Sequence, residues 1–397
     1  MRVRRTTTYL FVLAVVAVAP ILAGATSGRS GGSRSAWHGF TATVFASGAH
    51  LWHSTPHGRE ALAQPDDITA LGQDVFVGFQ NGVGPQGQPS PTGNRDSTVV
   101  EFNLAGRAVR QWDVQGKCDG LTADPLTQKV IATVNEDANS SLYVITPTRT
   151  GQQHFHYNRP LPSDGGTDAI TIHEGVILIS ASAPGTTGAP APQPAYPAVY
   201  RVTLNTSTQT ATIHPLFSDE ASARVANTNS SGALVRLALT DPDSNENVPS
   251  FARRFAGDFM LTSQGDKEQI FVHAAGTPDQ SLSVLRLSDS VDDTAWASSQ
   301  TGAILTTDNA NDTIYRITGP FQRGGVYAAE TPCDANNAPS TCPAPGFPPN
   351  HLDSLNPFTG RLTRLDIHGP KVEAQGVLFL PQATPRRDSR ARESGRG

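Results

Sequence analysis

Cysteine, methionine and lysine are all scarce in this chain of 397 residues, which has three Cys and two Met, and in which only four of the 30 basic side chains are Lys. Without a CxxC pair there is no thiolate metal site. No GxSxG elbow, P-loop or dinucleotide fingerprint occurs, so the common signatures of serine hydrolysis and nucleotide binding are missing. Strong charge of either sign is absent too. A net charge of −5 gives no electrostatic footprint for nucleic acid. After residue 22 no apolar run approaches the roughly twenty residues that span a bilayer, and no stretch has the apolar period of an amphipathic helix.

What is present begins with Arg2, Arg4 and Arg5, then an apolar run from Tyr9 to Leu22 and the small residues Ala23, Gly24 and Ala25. Such a run, too short for a permanent anchor, is the pattern of a cleavable secretory signal. The expectation is a secreted protein, cut near Ala25 and not membrane-bound. Residues 26–39 read as a disordered linker and residues 384–397 as a disordered Arg-rich tail, leaving one β domain over 40–383. In an oxidising compartment Cys333 and Cys342, close together in a Pro- and Asn-rich loop, are expected to form a disulfide. Cys118, beside a strand start, reads as a buried inert thiol. The triplets at Asn139, Asn205, Asn229 and Asn311 are glycan acceptors only in a host that uses that rule.

An internal repeat sets the fold class. Asp66-Asp67-Ile68-Thr69, Asp119-Gly120-Leu121-Thr122, Asp168-Ala169-Ile170-Thr171 and Asp292-Asp293-Thr294-Ala295 each precede a turn and a β-rich run. Those runs are Val75 to Phe79, Val130 to Val134, Val176 to Ser180 and Ala303 to Thr307, the candidate second strands. Thr98 to Leu104, Ser141 to Ile145, Ala198 to Leu204 and Thr313 to Thr318 are candidate third strands. A further copy starts near Asp241 or Asp243 and runs through Asp258 to Thr262 and Gln269 to His273. Another is hinted at by Glu373 to Leu380, and Phe321 to Ile367 has room for one more. Short self-similar sheets that need neighbours to bury their faces imply an all-β β-propeller. Its expected form is about six four-stranded blades, seven being the other count, with Thr41 to Ala46 as an outer strand that closes the ring.

In a propeller the inner strands start on the face to which the loops between second and third strands return. The Asp phrases should therefore meet the loops Asn135 to Asn139, Gln264 to Lys267 and Asp308 to Asp312 on one acidic, Asn-rich face, framed by longer insertions from Gly82 to Asp96 and Pro184 to Pro197. The candidates for a channel site are Asp66, Asp67, Asp119, Asp168, Asp292, Asp293, Glu136 and Asn309. Carboxylates about 6 Å apart repel by roughly 3 kcal/mol per pair at an effective dielectric of 20. A divalent cation such as Ca²⁺, held by Asp67, Asp119, Asp168 and Asp293, is one answer; the other is that each Asp accepts backbone hydrogen bonds at its own turn. His50, His53 and His57 sit around Pro56 and Gly58 in a loop, His154 and His156 alternate on an outer strand, and His173, His214, His273 and His351 lie in different repeats with nothing to select one as a base.

Val44-Phe45-Ala46-Ser47-Gly48 leading to Pro65-Asp66-Asp67-Ile68-Thr69, together with Asp308-Asn309-Ala310-Asn311-Asp312-Thr313-Ile314-Tyr315-Arg316-Ile317, resembles the six-bladed propellers of the NHL-repeat and senescence-marker/gluconolactonase group. The resemblance covers Thr41 to Leu380 and implies that fold. The group's lactonases hold a divalent cation in the channel through Glu, Asn and Asp; here no phrase has the Glu-Gly-Pro form, and Asp stands where that Glu would be. Two functions follow as expectations. One is a secreted, monomeric propeller that binds a small molecule or peptide on its acidic face, with Ca²⁺ as a candidate cofactor. The other is a metal-dependent hydrolase of lactones or esters. Redox propellers with an organic cofactor and scaffolds without a ligand are further classes.

Overall fold

A computed structural model describes residues 39–161, 165–182, 195–332 and 349–382. The signal segment, the linker up to residue 38, the tail from 383, most of the second insertion and both Cys333 and Cys342 lie outside the described residues. Within them there is no α-helix, only short strands and two 3₁₀ turns at Gly48–His50 and Asn309–Asn311. The fold is a β-propeller.

Four successive four-stranded antiparallel meanders carry the first repeats. They begin with the inner strands Pro65–Leu71, Cys118–Asp124, Ile170–His173 and Pro242–Asn247, and each runs outward through the next three strands in sequence. Second strands are apolar and buried on both faces, as in Lys129–Val134, whereas outer strands such as Ala108–Gln115 alternate exposed and buried residues. That gradient is what a sheet sandwiched between neighbours near the axis and wetted at its rim requires. Two further sheets start from Val291–Trp296 and Val377–Pro381. The six inner strands touch in chain order, and Val377–Pro381 returns to touch Pro65–Leu71, so they form a closed ring.

Neighbouring sheets pack face to face through apolar clusters. Ile131, Leu142 and Phe155 meet Ile170, Ile179 and Tyr200 between the second and third meanders, and Phe45, Leu305 and Ile314 meet Ile68, Val77 and Phe102 where the ring closes. Phe40–Ser47 pairs with Thr313–Thr318, so the N-terminal strand does complete the last sheet. Of the long segment after Phe321, Val326–Glu330, His351–Leu355 and Leu362–Arg364 join the sheet built on Val291–Trp296.

One expectation is corrected here. Gly302–Asp308 is not the second strand after the Asp292-Asp293 phrase; it pairs with Val377–Pro381, and Val291–Trp296 pairs instead with Val326–Glu330. The hairpin 302–318 thus belongs to the next sheet, and the chain crosses back to finish the one it left. Apolar alternation fixes which face of a strand is buried but carries no label for its partner, so the exchange is invisible to a reading by repeat.

Candidate functional site: an acidic cavity on the axis

Four of the inner strands open with the same local device. Between Pro65 and Ile68, Cys118 and Leu121, Pro242 and Asn245, and Val291 and Thr294 the pairing register slips, which frees two residues from the ladder as a bulge does. The first freed position holds Asp66, Asp119, Asp243 and Asp292. Asp168 and Gln375 occupy the corresponding place ahead of Ile170 and Val377. All six side chains line one cavity of about 620 Å³. Side-chain hydroxyls of the neighbouring sheet hold the backbone of this position: Thr133 donates to the Asp168 carbonyl at 2.6 Å, Ser180 to that of Asp243 at 2.6 Å and Thr307 to that of Asp66 at 2.5 Å. Ser244 does the same for Asp292.

The second freed position does something else. Asp67 accepts the N–H of Ile68 through Oδ1 at 2.6 Å and, through Oδ2, the N–H of Leu121 in the next inner strand, also at 2.6 Å. Asp293 repeats this on Thr294 at 2.6 Å and on Val377 at 2.7 Å. Both are clamps between adjacent blades. The strands they hold carry glycine just before the clamped N–H, and space demands it: a Cβ on Gly120 would lie 2.4 Å from Thr133 Oγ1 and 2.5 Å from the Asp168 carbonyl, and one on Gly376 2.5 Å from the Asp66 carbonyl.

Every residue singled out from the sequence, namely Asp66, Asp67, Asp119, Asp168, Asp292, Asp293, Glu136 and Asn309, borders this cavity. Asp67 and Asp293 are less suited to a ligand set than Asp66 and Asp243, because backbone donors already engage both oxygens of each. Asp243, Glu246, Lys117 and Gln375 line the cavity without having been singled out. Asp243 is readable only as one of two possible repeat starts, because its context, Asp241-Pro242-Asp243-Ser244, is unlike the other phrases. Gln375 had a readable signal, since Gln375-Gly376-Val377 aligns with Asp119-Gly120-Leu121. Among the described residues no histidine borders the cavity. His154 and His156 lie on the outer strand Gln152–Tyr157. Cys118 is fully buried with its thiol pushed up by burial and nearby aspartates, which suits an inert role.

Among the described residues, eleven carboxylates line the cavity against one cationic side chain, Lys117. Lys117 sits 2.9 Å from Asp119 Oδ1 and also bonds Glu136, and these anions hold its ammonium well above the ordinary lysine value despite the burial. Gln80 donates to the same Asp119 oxygen at 2.9 Å. The other oxygen of Asp119, and Oδ1 of Asn245, are buried acceptors with no hydrogen-bond donor. Burial, reinforced by mutual repulsion, pushes Asp66, Asp119, Asp168 and Asp243 well above the usual carboxylate range. Burial raises Asp293 to about 7 even against its two backbone donors. A cation in the cavity would relieve both the repulsion and the unmet acceptors.

No protein-family model matches the chain, and no curated protein matches it. Among solved structures it is similar to a candidate 6-phosphogluconolactonase from Bacteroides uniformis, at 12% identity over 81% of this chain and 90% of that one, with a TM-score of 0.44. A periplasmic gluconolactonase of Pseudomonas aeruginosa matches at 10% identity over 86% and 99%, TM-score 0.39. The WD40 domain of Toxoplasma gondii coronin matches at 10% over 66% and 57%, TM-score 0.34. Likenesses this distant carry no argument about activity.

Proposed function

We propose that the chain is a six-bladed propeller whose axial cavity binds a divalent cation, Ca²⁺ by the character of its donors, and through it a small molecule or peptide. The observation that carries this reading is the convergence of five aspartates from successive inner strands, Asp66, Asp119, Asp168, Asp243 and Asp292, on one cavity. Oxygen donors in this number suit a hard cation with six to eight ligands. The buried Asp119 oxygen without a hydrogen-bond donor is suited to ligating a cation. Asp119, Asp168, Asp66 and Asp243 are the residues that would hold it. The N-terminal run of arginines followed by a short apolar segment supports export of the protein, and an exported protein meets millimolar Ca²⁺.

Metal analysis of the purified mature protein, paired with melting curves before and after chelation, tests the reading. A stoichiometric divalent ion whose removal lowers Tm supports it, and a metal-free protein whose Tm ignores Ca²⁺ overturns it. Hydrolysis of lactones or esters is the second reading of the same cavity. It is favoured by carboxylates that burial pushes well above their usual range and would appear as Ca²⁺-dependent turnover lost in Asp168→Asn.

A further inference from the structure

Away from the axial cavity, the sheet built on Val291–Trp296 carries a second group of ligand atoms. His351 and Asp353 are two apart on the strand His351–Leu355 and so share a face. Glu330 lies directly opposite His351 in the antiparallel ladder, which brings its side chain to that same face. His351 Nδ1 stands 2.7 Å from Asp353 Oδ1 and 3.7 Å from Glu330 Oε2, and one ligand atom from each of the three lies within 4.8 Å of the others. These side chains are largely withdrawn from water, with 14% of His351, 12% of Glu330 and 2% of Asp353 exposed. None of the three borders the axial cavity.

From this geometry we infer a second metal site, formed by Glu330, His351 and Asp353, for a borderline divalent cation of the Zn²⁺ class. One imidazole nitrogen with two carboxylates is a donor set such ions take and Ca²⁺ does not prefer. Tetrahedral bonds of ~2.1 Å put ligand atoms about 3.4 Å apart, and the two separations from Nδ1 fall on either side of that value. Small side-chain rotations suffice to seat an ion. The surrounding charges favour one. Asp289 adds a third carboxylate, which Lys267 meets at 2.6 Å, while Arg364, opposite Asp353 in the ladder, is exposed and makes no ion pair with it among the described residues.

Chelated full-length mature protein titrated with Zn²⁺ by calorimetry, and with Co²⁺ by visible absorption, tests the site. Wild type should take up an ion that His351→Asn and Glu330→Gln each weaken at least tenfold. The cavity variant Asp119→Asn/Asp168→Asn should keep that ion, which separates this site from the axial one. Glu330→Gln preserves the His351–Asp353 hydrogen bond and so guards against misfolding of the histidine variant. Failure of wild type to bind Zn²⁺, or undiminished binding by both natively folded variants, would overturn the inference.

Discussion

Asp67 and Asp293 each hold a backbone N–H of the inner strand ahead, and replacing either by Asn keeps the shape while setting an amide N–H against a backbone donor. Charge-assisted bonds of this kind contribute ~1.5–3 kcal/mol. Asp67→Asn and Asp293→Asn are therefore expected to lose stability of about that size in urea denaturation, with the melt still cooperative. Asp168 lines the same cavity but has no such clamp, so Asp168→Asn should leave the metal-free protein unchanged or more stable at pH 8. Equal losses in all three variants would contradict this division of labour. Gly120→Ala is a harsher change, because its methyl has Thr133 and the Asp168 carbonyl within 2.5 Å; expression as insoluble protein, or a large fall in Tm, is the expected outcome.

At the scale of the inner strands, the ring of carboxylates makes stability depend on pH in a direction opposite to that of a salt-bridged acid. Asp293 moves from 3.8 to about 7 on folding, and its neighbours move the same way. Between those values the folded form binds more protons than the unfolded chain, so stability declines as pH rises through that window. The chelated protein should melt higher at pH 5 than at pH 8, and Ca²⁺ should recover the difference at pH 8. Lys117→Gln removes the cavity's cationic side chain, and is expected to deepen the pH 8 loss while tightening Ca²⁺ binding in calorimetry. How much of this was legible in the sequence follows from what repeats and what does not. The Asp phrases, the second and third strands of most sheets and the loops bearing Glu136 and Asn309 recur in kind, so periodicity found them. The bulge that separates channel-facing from clamping aspartates depends on ladder register, which the phrase Asp-Asp does not reveal. The exchange of the 302–318 hairpin into the next sheet is a choice of partner between equally apolar strands, and the triad of Glu330, His351 and Asp353 needed the pairing of two strands far apart in the sequence.

For the whole molecule, closure depends on Phe40–Ser47, which covers the edge of Thr313–Thr318 and packs Phe45 against Phe102. Deleting residues up to Ser47 exposes that edge, and open edges recruit other chains; size-exclusion chromatography should show larger species or more aggregate than the parent does. A closed ring also explains why the aspartates can be crowded together. The apolar clusters between neighbouring sheets hold the inner strands in place, and the strands carry their acidic starts to the axis whether or not these repel. If a divalent cation answers this crowding, calorimetric titration of Ca²⁺ into the chelated protein at pH 7.5 should give saturable, stoichiometric binding that disappears in Asp119→Asn/Asp168→Asn. A natively folded protein that binds no Ca²⁺ at millimolar concentration would rule the cation out.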